Sequence, residues 1–149
     1  ETNINQSIYK AEENKDMLKS KSDIDENIKL KNFKVVDARS YERFKGMVPE
    51  LRTNVKSGSI KGSYCLPFTK IINKNNNTFK NKDELNQIFK EVIDTKHNNI
   101  VFSCGSGVTA SVLALAYSLI NNKYTPTIYD GSWSEYGLIK WKDQPKFYQ

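Results

Sequence analysis

Short apolar runs alternate along the chain with longer stretches in which apolar residues recur at helical spacing. The short runs predict β-strands, and the spaced stretches predict helices with one buried face. Strands are predicted at Phe33–Asp37, Ile60–Leu66, Ile100–Phe102 and Thr127–Asp130, and helices at Asn81–Ile93 and Val108–Ile120. Because strands and helices alternate, the pattern predicts an α/β domain with a mainly parallel central sheet flanked by helices on both faces.

The N-terminal region carries weaker signals. Gln6–Lys10 is predicted as a short edge strand, and the helix formers of Ala11–Lys19 predict a helix. Another helix is expected to begin at Asp23 or Asp25, either of which can cap it. Its predicted buried face consists of Ile24, Ile28 and Leu30. Gly46–Ser59 is predicted as a loop, and a loop of that length usually carries function or disorder.

The length of 149 residues suits one domain with one core, so residues 1–149 are predicted to form a single domain. No apolar run approaches the ~20 residues that cross a bilayer, so no membrane partner is expected. The chain begins without Met and without a charged-then-apolar leader. We therefore expect a fragment or a processed form.

Charge and cysteine content narrow the function classes. The net charge is +6, but the lysines are scattered rather than clustered on one helix, so no nucleic-acid partner is expected. The two cysteines show neither a disulfide framework nor a metal spacing, and no metal or other cofactor is predicted. The one histidine, His97, lies in a polar run and is interpreted as a surface loop residue.

The most informative stretch is Ile100–Ile120, in which an apolar run is followed by Ser103, Cys104, two closely spaced glycines and an apolar helix. Gly105 and Gly107 allow positive φ, so successive N–H groups can turn toward one point. The helix that begins near Val108 adds its free N–H groups and the positive end of its dipole. Such surroundings stabilise a thiolate, which is the reactive form of cysteine. Cys104 is therefore interpreted as a nucleophile.

The alternative for any single cysteine is a small core hydrophobe. That interpretation fits Cys65, which lies in the strand-like run Ser63–Pro67. It fits Cys104 less well, because a core cysteine needs neither two glycines after it nor a helix N-terminus aimed at it. A protease-like pairing of Cys104 with His97 is disfavoured, since nothing in the sequence places them together.

The loop sequence C-G-S-G-V-T-A at Cys104–Ala110 resembles the active-site loop of the rhodanese superfamily, and within it that of the 3-mercaptopyruvate sulfurtransferases. Further blocks agree in order and spacing. They are Val35–Arg39, Arg43–Gly46 and Pro49–Arg52, which resemble the opening of the family's C-terminal catalytic domain, and Tyr129–Glu135, which resembles the segment after its last strand.

The resemblance implies a persulfide mechanism. The Cys104 thiolate would take sulfur from 3-mercaptopyruvate, releasing pyruvate, and a thiol such as thioredoxin, or cyanide, would accept it. Loop N–H groups would stabilise the negative charge, and Ser106 could donate a hydrogen bond or pass a proton to the departing enolate. The predicted catalytic residues are Cys104 and Ser106, and the substrate-contacting loop residues are Gly105, Gly107, Val108 and Thr109.

The resemblance also assigns the substrate carboxylate to Arg43 and Arg52, whose planar forks bind a carboxylate bidentately. The structural alternative for Arg43 is an ion pair with Asp37 or Glu42, and for Arg52 it is a solvated loop charge. Arg39 is interpreted as structural, and Trp133 as a packing residue.

Two local blocks depart from the family pattern. The family often carries Gly-His-Ile-Pro-Gly where this chain has Gly58–Gly62, and a cysteine where this chain has Ser111. Family enzymes also usually have two rhodanese-like domains, with the active site between them and an acidic residue lent by the N-terminal one. The chain is thus expected to be the C-terminal catalytic half of a longer protein, with a missing N-terminal domain as a partner.

The sequence disfavours three other functions. A cysteine phosphatase needs an Arg where Ala110 stands. A thiosulfate sulfurtransferase would favour a basic loop residue at Ser106, because its donor is doubly anionic. A rhodanese-like binding or regulatory module without turnover would need neither Cys104 nor the glycines.

Overall fold

The computed structural model describes residues 7–93 and 99–139, which form a five-stranded sheet with helices on both sides. The strands are β1 (Leu18–Lys19), β2 (Lys34–Asp37), β3 (Tyr64–Cys65), β4 (Ile100–Ser103) and β5 (Ile128–Tyr129). The helices are α1 (Lys21–Leu30), α2 (Tyr41–Phe44), α3 (Lys82–Lys90), α4 (Val108–Ser118) and α5 (Ser132–Tyr136), with 3-10 turns at Lys15–Met17 and Phe68–Ile71. Every strand pairing in this part of the chain is parallel, in the order β1-β5-β4-β2-β3. The predicted α/β architecture is confirmed.

Successive residues of the central strands pack into two separate cores. Val36 and Phe102 join the larger core, formed with α3 and α4, whereas Val35 and Val101 join the smaller one, formed with α1 and α5. This division follows from the alternation of side chains along a strand. Both faces of the sheet are covered, so the residues in the middle of β2 and β4 are apolar: Val35, Val36, Val101 and Phe102. T-shaped contacts among Phe89, Phe102, Tyr117 and Tyr124 fill the larger core.

The N-terminal predictions were wrong. Residues 7–10 have no regular structure, and instead of a helix over Ala11–Lys19 there is a single 3-10 turn followed by β1. The pairing of Leu18 with Ile128 and of Lys19 with Tyr129 explains the difference. It supplies partners for backbone groups on the free edge of β5, and helix propensity alone cannot compete with that gain.

The first long helix begins earlier than predicted. Ser20 is its N-cap, and Asp23 completes a capping box by accepting the Ser20 N–H at 2.7 Å. Ile24 is fully buried, as predicted, but Leu30 is 56% exposed because the helix ends there and the chain turns back into β2.

The predicted strand Ile60–Leu66 is reduced to Tyr64–Cys65, since the Ile60 carbonyl accepts the Ser63 N–H in a turn. The predicted loop Gly46–Ser59 is confirmed, apart from one isolated bridge between Val55 and Leu138.

Parallel strands place all their carboxyl ends at one edge of the sheet, where ligands bind in such folds. Asp37 at the end of β2 pairs in register with Ser103 at the end of β4, and Asp130 follows β5. Cys104 is the next residue after β4 and lies at the same edge. Over residues 7–93 and 99–139, no helix has the length and apolarity to cross a membrane, and no cluster of His, Cys, Asp and Glu suits a metal. His97 lies outside the described residues.

Candidate active site

Cys104 lies at the point where β4 stops, and the loop Cys104–Gly107 leads directly into α4. Its side chain is buried because β4 is flanked by β2 and β5 and covered by α4. The residue is only 2% exposed, yet it lines a cavity of about 330 Å³. The cavity wall comprises Ala38, Arg39, Ser40, Arg43, Arg52, Phe68, Cys104, Gly105, Ser106, Val108 and Thr109.

Hydrogen bonds converge on the Cys104 sulfur. The Ser106 N–H donates to Sγ at 3.4 Å, and the Thr109 hydroxyl and the N–H groups of Thr109 and Ala110 also contribute. Burial is the largest single influence on the pKa of Cys104 and raises it. The hydrogen bonds together outweigh burial, so the pKa of Cys104 lies below its ordinary value. The loop therefore stabilises the thiolate, which is what a nucleophile requires.

The two loop glycines serve different purposes, contrary to the prediction of positive φ at both. Gly107 has φ of +82°, and a Cβ there would collide with the Asp130 carboxylate. Gly105 is not in the left-handed region. A Cβ on Gly105 would lie 3.2 Å from an Arg52 Nη and 3.6 Å from an Arg43 Nη, so this glycine leaves room for both guanidinium groups.

The other predicted loop residues surround the opening of the cavity. Ser106 is exposed, Val108 is 71% exposed, and Thr109 is half-buried. Both predicted catalytic residues and five of the six predicted substrate-contacting residues line this cavity. The sixth, Gly107, does not line it and is the N-cap of α4.

The arginines above the sulfur are organised by a buried carboxylate that the sequence analysis did not single out. Glu50, whose side chain is 2% exposed, lies 2.6 Å from Arg43 and 3.5 Å from both Arg52 and Arg39. The structural partner of Arg43 is therefore Glu50 rather than Asp37 or Glu42. The sequence offered one indication of this role, because Glu50 lies two residues before Arg52 in the Pro49–Arg52 block. The sequence of a loop does not show, however, that one of its carboxylates is buried.

Arg39 is structural, as expected. Its guanidinium lies 2.7 Å from the Asp37 carboxylate and donates to the Gly58 carbonyl at 2.7 Å, joining the sheet edge to the long loop. Burial raises the pKa of Asp37, although the hydrogen bonds and charge of Arg39 partly oppose this. Trp133 is also a packing residue: it is 2% exposed, stacks on Tyr136 and lies against Arg39.

Cys65 is half-buried rather than fully enclosed in the core. Its sulfur contacts the Arg39 carbonyl at 3.7 Å. Burial, and secondarily the charge of Asp37, raises the pKa of Cys65 to about 11. The two cysteines thus have opposite chemical character, which agrees with the assignment of the nucleophile to Cys104.

A second residue missed by the sequence analysis is Ser132, which is fully buried under the loop with a left-handed backbone. In the sequence, the Tyr129–Glu135 block stands out only by its resemblance to the family's segment after the last strand, and a positive φ at serine is not visible in a sequence.

Comparisons with known proteins agree with this geometry. The rhodanese-like domain model matches residues 20–138. The 3-mercaptopyruvate sulfurtransferase of Mus musculus is 38% identical over 128 residues, which are 86% of this chain and 42% of that protein. The thiosulfate sulfurtransferase of Gallus gallus is 35% identical over 131 residues, or 88% of this chain and 44% of that protein.

Among solved structures, SseA from Escherichia coli, described as a 3-mercaptopyruvate sulfotransferase, is 32% identical with a TM-score of 0.67. The match covers 86% of this chain and 46% of SseA. The chain spans less than half the length of the curated relatives it matches. The family model covers most of the chain, and the fold agrees with it: this chain belongs to the rhodanese-like domain family.

Proposed function

We propose that this domain is a sulfurtransferase that accepts sulfur from 3-mercaptopyruvate on Cys104 and passes it to a thiol or to cyanide. The single observation that carries the proposal is the cavity in which a hydrogen-bonded cysteine sulfur faces Arg43 and Arg52. A donor with a thiol at one end and a carboxylate at the other matches that arrangement. The resemblance to proteins named 3-mercaptopyruvate sulfurtransferase supports the same conclusion.

In the first step, the Cys104 thiolate attacks the sulfur of 3-mercaptopyruvate and forms an S–S bond. The donor's C–S bond breaks, and its electron pair moves to carbon to give the enolate of pyruvate. The proton from the donor thiol passes to that carbon, so pyruvate leaves and Cys104 holds a persulfide anion. An acceptor thiolate or cyanide then attacks the outer sulfur and restores the Cys104 thiolate. No oxidant or reductant is consumed.

Ser106 supports two roles in this scheme. Its N–H already donates to the Cys104 sulfur at 3.4 Å, so it is placed to stabilise both the thiolate and the persulfide anion. Its exposed hydroxyl lies at the cavity wall, where it can relay the thiol proton to the enolate carbon. The N–H groups of Thr109 and Ala110 add to the same preorganised set of donors.

Charge favours a donor with one negative charge. Three guanidinium groups, those of Arg39, Arg43 and Arg52, face the two carboxylates of Asp37 and Glu50, which leaves one positive charge in the cluster. Arg43 directs one Nη to Glu50 and retains a buried Nε without a hydrogen-bond partner among the described residues. Thiosulfate would bring one more negative charge than a single carboxylate to a site where one net positive charge already faces the Cys104 thiolate, so the monocarboxylate is favoured.

We also propose that the domain is the C-terminal catalytic half of a two-domain protein. The segment that supplies Arg43 and Arg52 also carries large, strongly exposed apolar side chains, namely Leu51 at 87%, Met47 at 70% and Tyr41 at 53%. Exposed apolar side chains grouped in one segment are typical of a surface that another domain covers. The coverage of less than half of each relative supports this arrangement. A thiol such as thioredoxin is proposed as the acceptor because the resemblance to sulfurtransferases implies a thiol that takes the sulfur.

The test is persulfide formation. Incubation with 3-mercaptopyruvate should add the mass of one sulfur atom, with stoichiometric pyruvate release, in the unmodified protein and in Cys65→Ser. No mass should be added in Cys104→Ser. Addition to the Cys104→Ser variant would overturn the assignment of the nucleophile. Faster charging by thiosulfate than by 3-mercaptopyruvate would favour the thiosulfate sulfurtransferase, and no charging by either donor would favour a binding module.

A further inference from the structure

The segment that follows β5 forms hydrogen bonds with both the carbonyl and the N–H groups of the cysteine loop. The Trp133 N–H donates to the Cys104 carbonyl at 3.0 Å, and the Ser134 N–H donates to the Gly105 carbonyl at 2.9 Å. The loop's carbonyls therefore point toward α5.

The orientation of these carbonyls fixes the orientation of the amides. In a trans peptide the C=O and the following N–H point in opposite directions. Because the Gly105 carbonyl is held by Ser134, the Ser106 N–H on the same peptide must point away from α5. That direction leads to the Cys104 sulfur, to which this N–H donates at 3.4 Å.

One side-chain hydroxyl holds both ends of the loop. Ser132 Oγ accepts the Cys104 N–H at 3.0 Å and the Gly107 N–H at 3.2 Å, while it donates to the Tyr129 carbonyl at 2.7 Å. The hydroxyl thus uses its one donor and both acceptor sites, and the residue has no exposed surface. No other side chain of the described residues accepts from two N–H groups of this loop.

Ser132 forms these hydrogen bonds while its backbone is held in an unfavourable conformation. Its φ is +49°, in the left-handed region that serine rarely adopts. A glycine would meet the backbone requirement without strain but would lack the hydroxyl. Strain of this kind persists where surrounding contacts over-determine it, and it clusters at functional sites.

We propose that Ser132 is a positioning residue for sulfur transfer, whose hydroxyl holds the loop Cys104–Gly107 so that the Ser106 N–H is directed at the Cys104 sulfur. Ser132 does not touch the substrate cavity and acts only through the loop backbone. The inference rests on the proposed role of the Cys104 thiolate. It is tested by alkylation of the thiol, which requires no sulfur donor, so its failure can be distinguished from failure of the sulfurtransferase assignment.

The experiment compares Ser132→Ala with Ser132→Gly. Alanine removes the hydroxyl and keeps the backbone strain, whereas glycine removes both. The rate of Cys104 alkylation by iodoacetamide is followed by mass spectrometry as a function of pH. Both variants should react about tenfold more slowly than the unmodified protein near neutral pH, with the midpoint of the profile moved to higher pH, because hydrogen bonds to the thiolate are lost.

The matched control is Ser63→Ala, which removes a hydroxyl that donates to the Ile60 carbonyl at 2.6 Å, far along the chain from the loop. This variant should keep the pH profile of the unmodified protein. An unchanged midpoint in folded Ser132→Ala and Ser132→Gly would overturn the proposal, as would an equal shift in Ser63→Ala.

A measurement on the unmodified protein keeps the proposal falsifiable if neither variant folds. Hydrogen exchange followed by NMR should show slow exchange at the N–H groups of Cys104 and Gly107, which donate to Ser132. Fast exchange at both would contradict the proposal, because the hydroxyl could not then be holding the loop.

Discussion

The Glu50 carboxylate is paired with the Arg43 guanidinium at 2.6 Å, while its own side chain is almost completely enclosed. Arg43 is 26% exposed and reaches the cavity, so one arginine connects a buried anion with the substrate space. Glu50 also lies 3.5 Å from Arg52. It therefore sets both the position and the net charge of the two groups proposed to bind the donor's carboxylate.

Replacement of Glu50 by Gln should have two effects. The loss of an enclosed carboxylate leaves buried guanidinium charge unbalanced, so the free energy of unfolding should fall by about 3 kcal/mol. The cluster also gains one positive charge, so activity with thiosulfate should rise relative to activity with 3-mercaptopyruvate. Denaturant unfolding and kcat/KM with both donors measure these effects. The control is Glu42→Gln, an exposed position next to Arg43, which should change neither quantity. An unchanged donor preference in Glu50→Gln would contradict the charge argument.

The two arginines are expected to contribute unequally. Arg43→Lys keeps the charge but loses the planar fork, and a hydrogen bond to a charged group contributes about 1.5–3 kcal/mol, so kcat/KM for 3-mercaptopyruvate should fall at least about tenfold. Arg52→Lys should cause a smaller loss, because the Arg52 side chain is 42% exposed and already partly screened by water. Steady-state kinetics should show the larger loss of kcat/KM in Arg43→Lys. The variant Lys61→Gln serves as the control for a change in surface charge. Equal, negligible losses at both positions would show that the carboxylate binds elsewhere.

Gly107 and Gly62 form a matched pair for testing the loop. Their φ values are +82° and +79°, but a Cβ on Gly62 meets nothing within 4 Å, whereas one on Gly107 collides with Asp130. Gly62→Ala should cost only the left-handed penalty of about 1–2 kcal/mol. Gly107→Ala should cost that penalty and a further overpacking term of about 1–3 kcal/mol, and it should abolish persulfide formation. Thermal unfolding and the mass assay measure both. Similar behaviour of the two variants would show that Asp130 yields without disturbing the loop.

The pKa values of the two cysteines are shifted in opposite directions, so their reactivities should depend differently on pH. The pKa of Cys104 lies below the ordinary value of 9.0, because the Thr109 hydroxyl and the loop amides outweigh the effect of burial, and the pKa of Cys65 is raised to about 11 by burial. The midpoint of the alkylation profile should therefore lie below pH 9.0 for Cys104 and near pH 11 for Cys65. Peptide mapping after pulses of iodoacetamide gives both profiles. A shared midpoint would refute the assignment.

These pKa shifts make the contributions of the two cysteines to folding stability depend on pH in opposite ways. The lowered pKa of Cys104 means that its stabilising contribution is present above the ordinary value and is lost as pH falls through its folded-state pKa. The raised pKa of Cys65 means that its contribution is present below the ordinary value and is lost as pH rises through about 11. Comparison of unfolding free energies for Cys65→Ser and the unmodified protein between pH 8 and pH 11 tests the second statement.

Local patterns predicted the elements of the middle and the end of the chain. The alternation of apolar strands and amphipathic helices gave β2, β4, α3 and α4 close to their true bounds, because each depends on its own side-chain periodicity. The failure at Ala11–Lys19 has a different origin. Leu18 becomes a strand residue only because β5 offers a free edge, and β5 is more than a hundred residues away in the chain.

In the candidate site, too, some features follow from the local sequence and others depend on residues that are distant in the chain. The sequence by itself was enough to predict Cys104 as the nucleophile, because a thiol between a strand and a glycine-containing helix start is a local feature of the chain. Only the tertiary structure decided which distant groups surround it: Glu50 holding the arginines, and Ser132 holding the loop from below. Their roles depend on enclosure and on backbone groups contributed by other elements. These are properties of the assembled edge of the sheet, and no spacing along the chain encodes them directly.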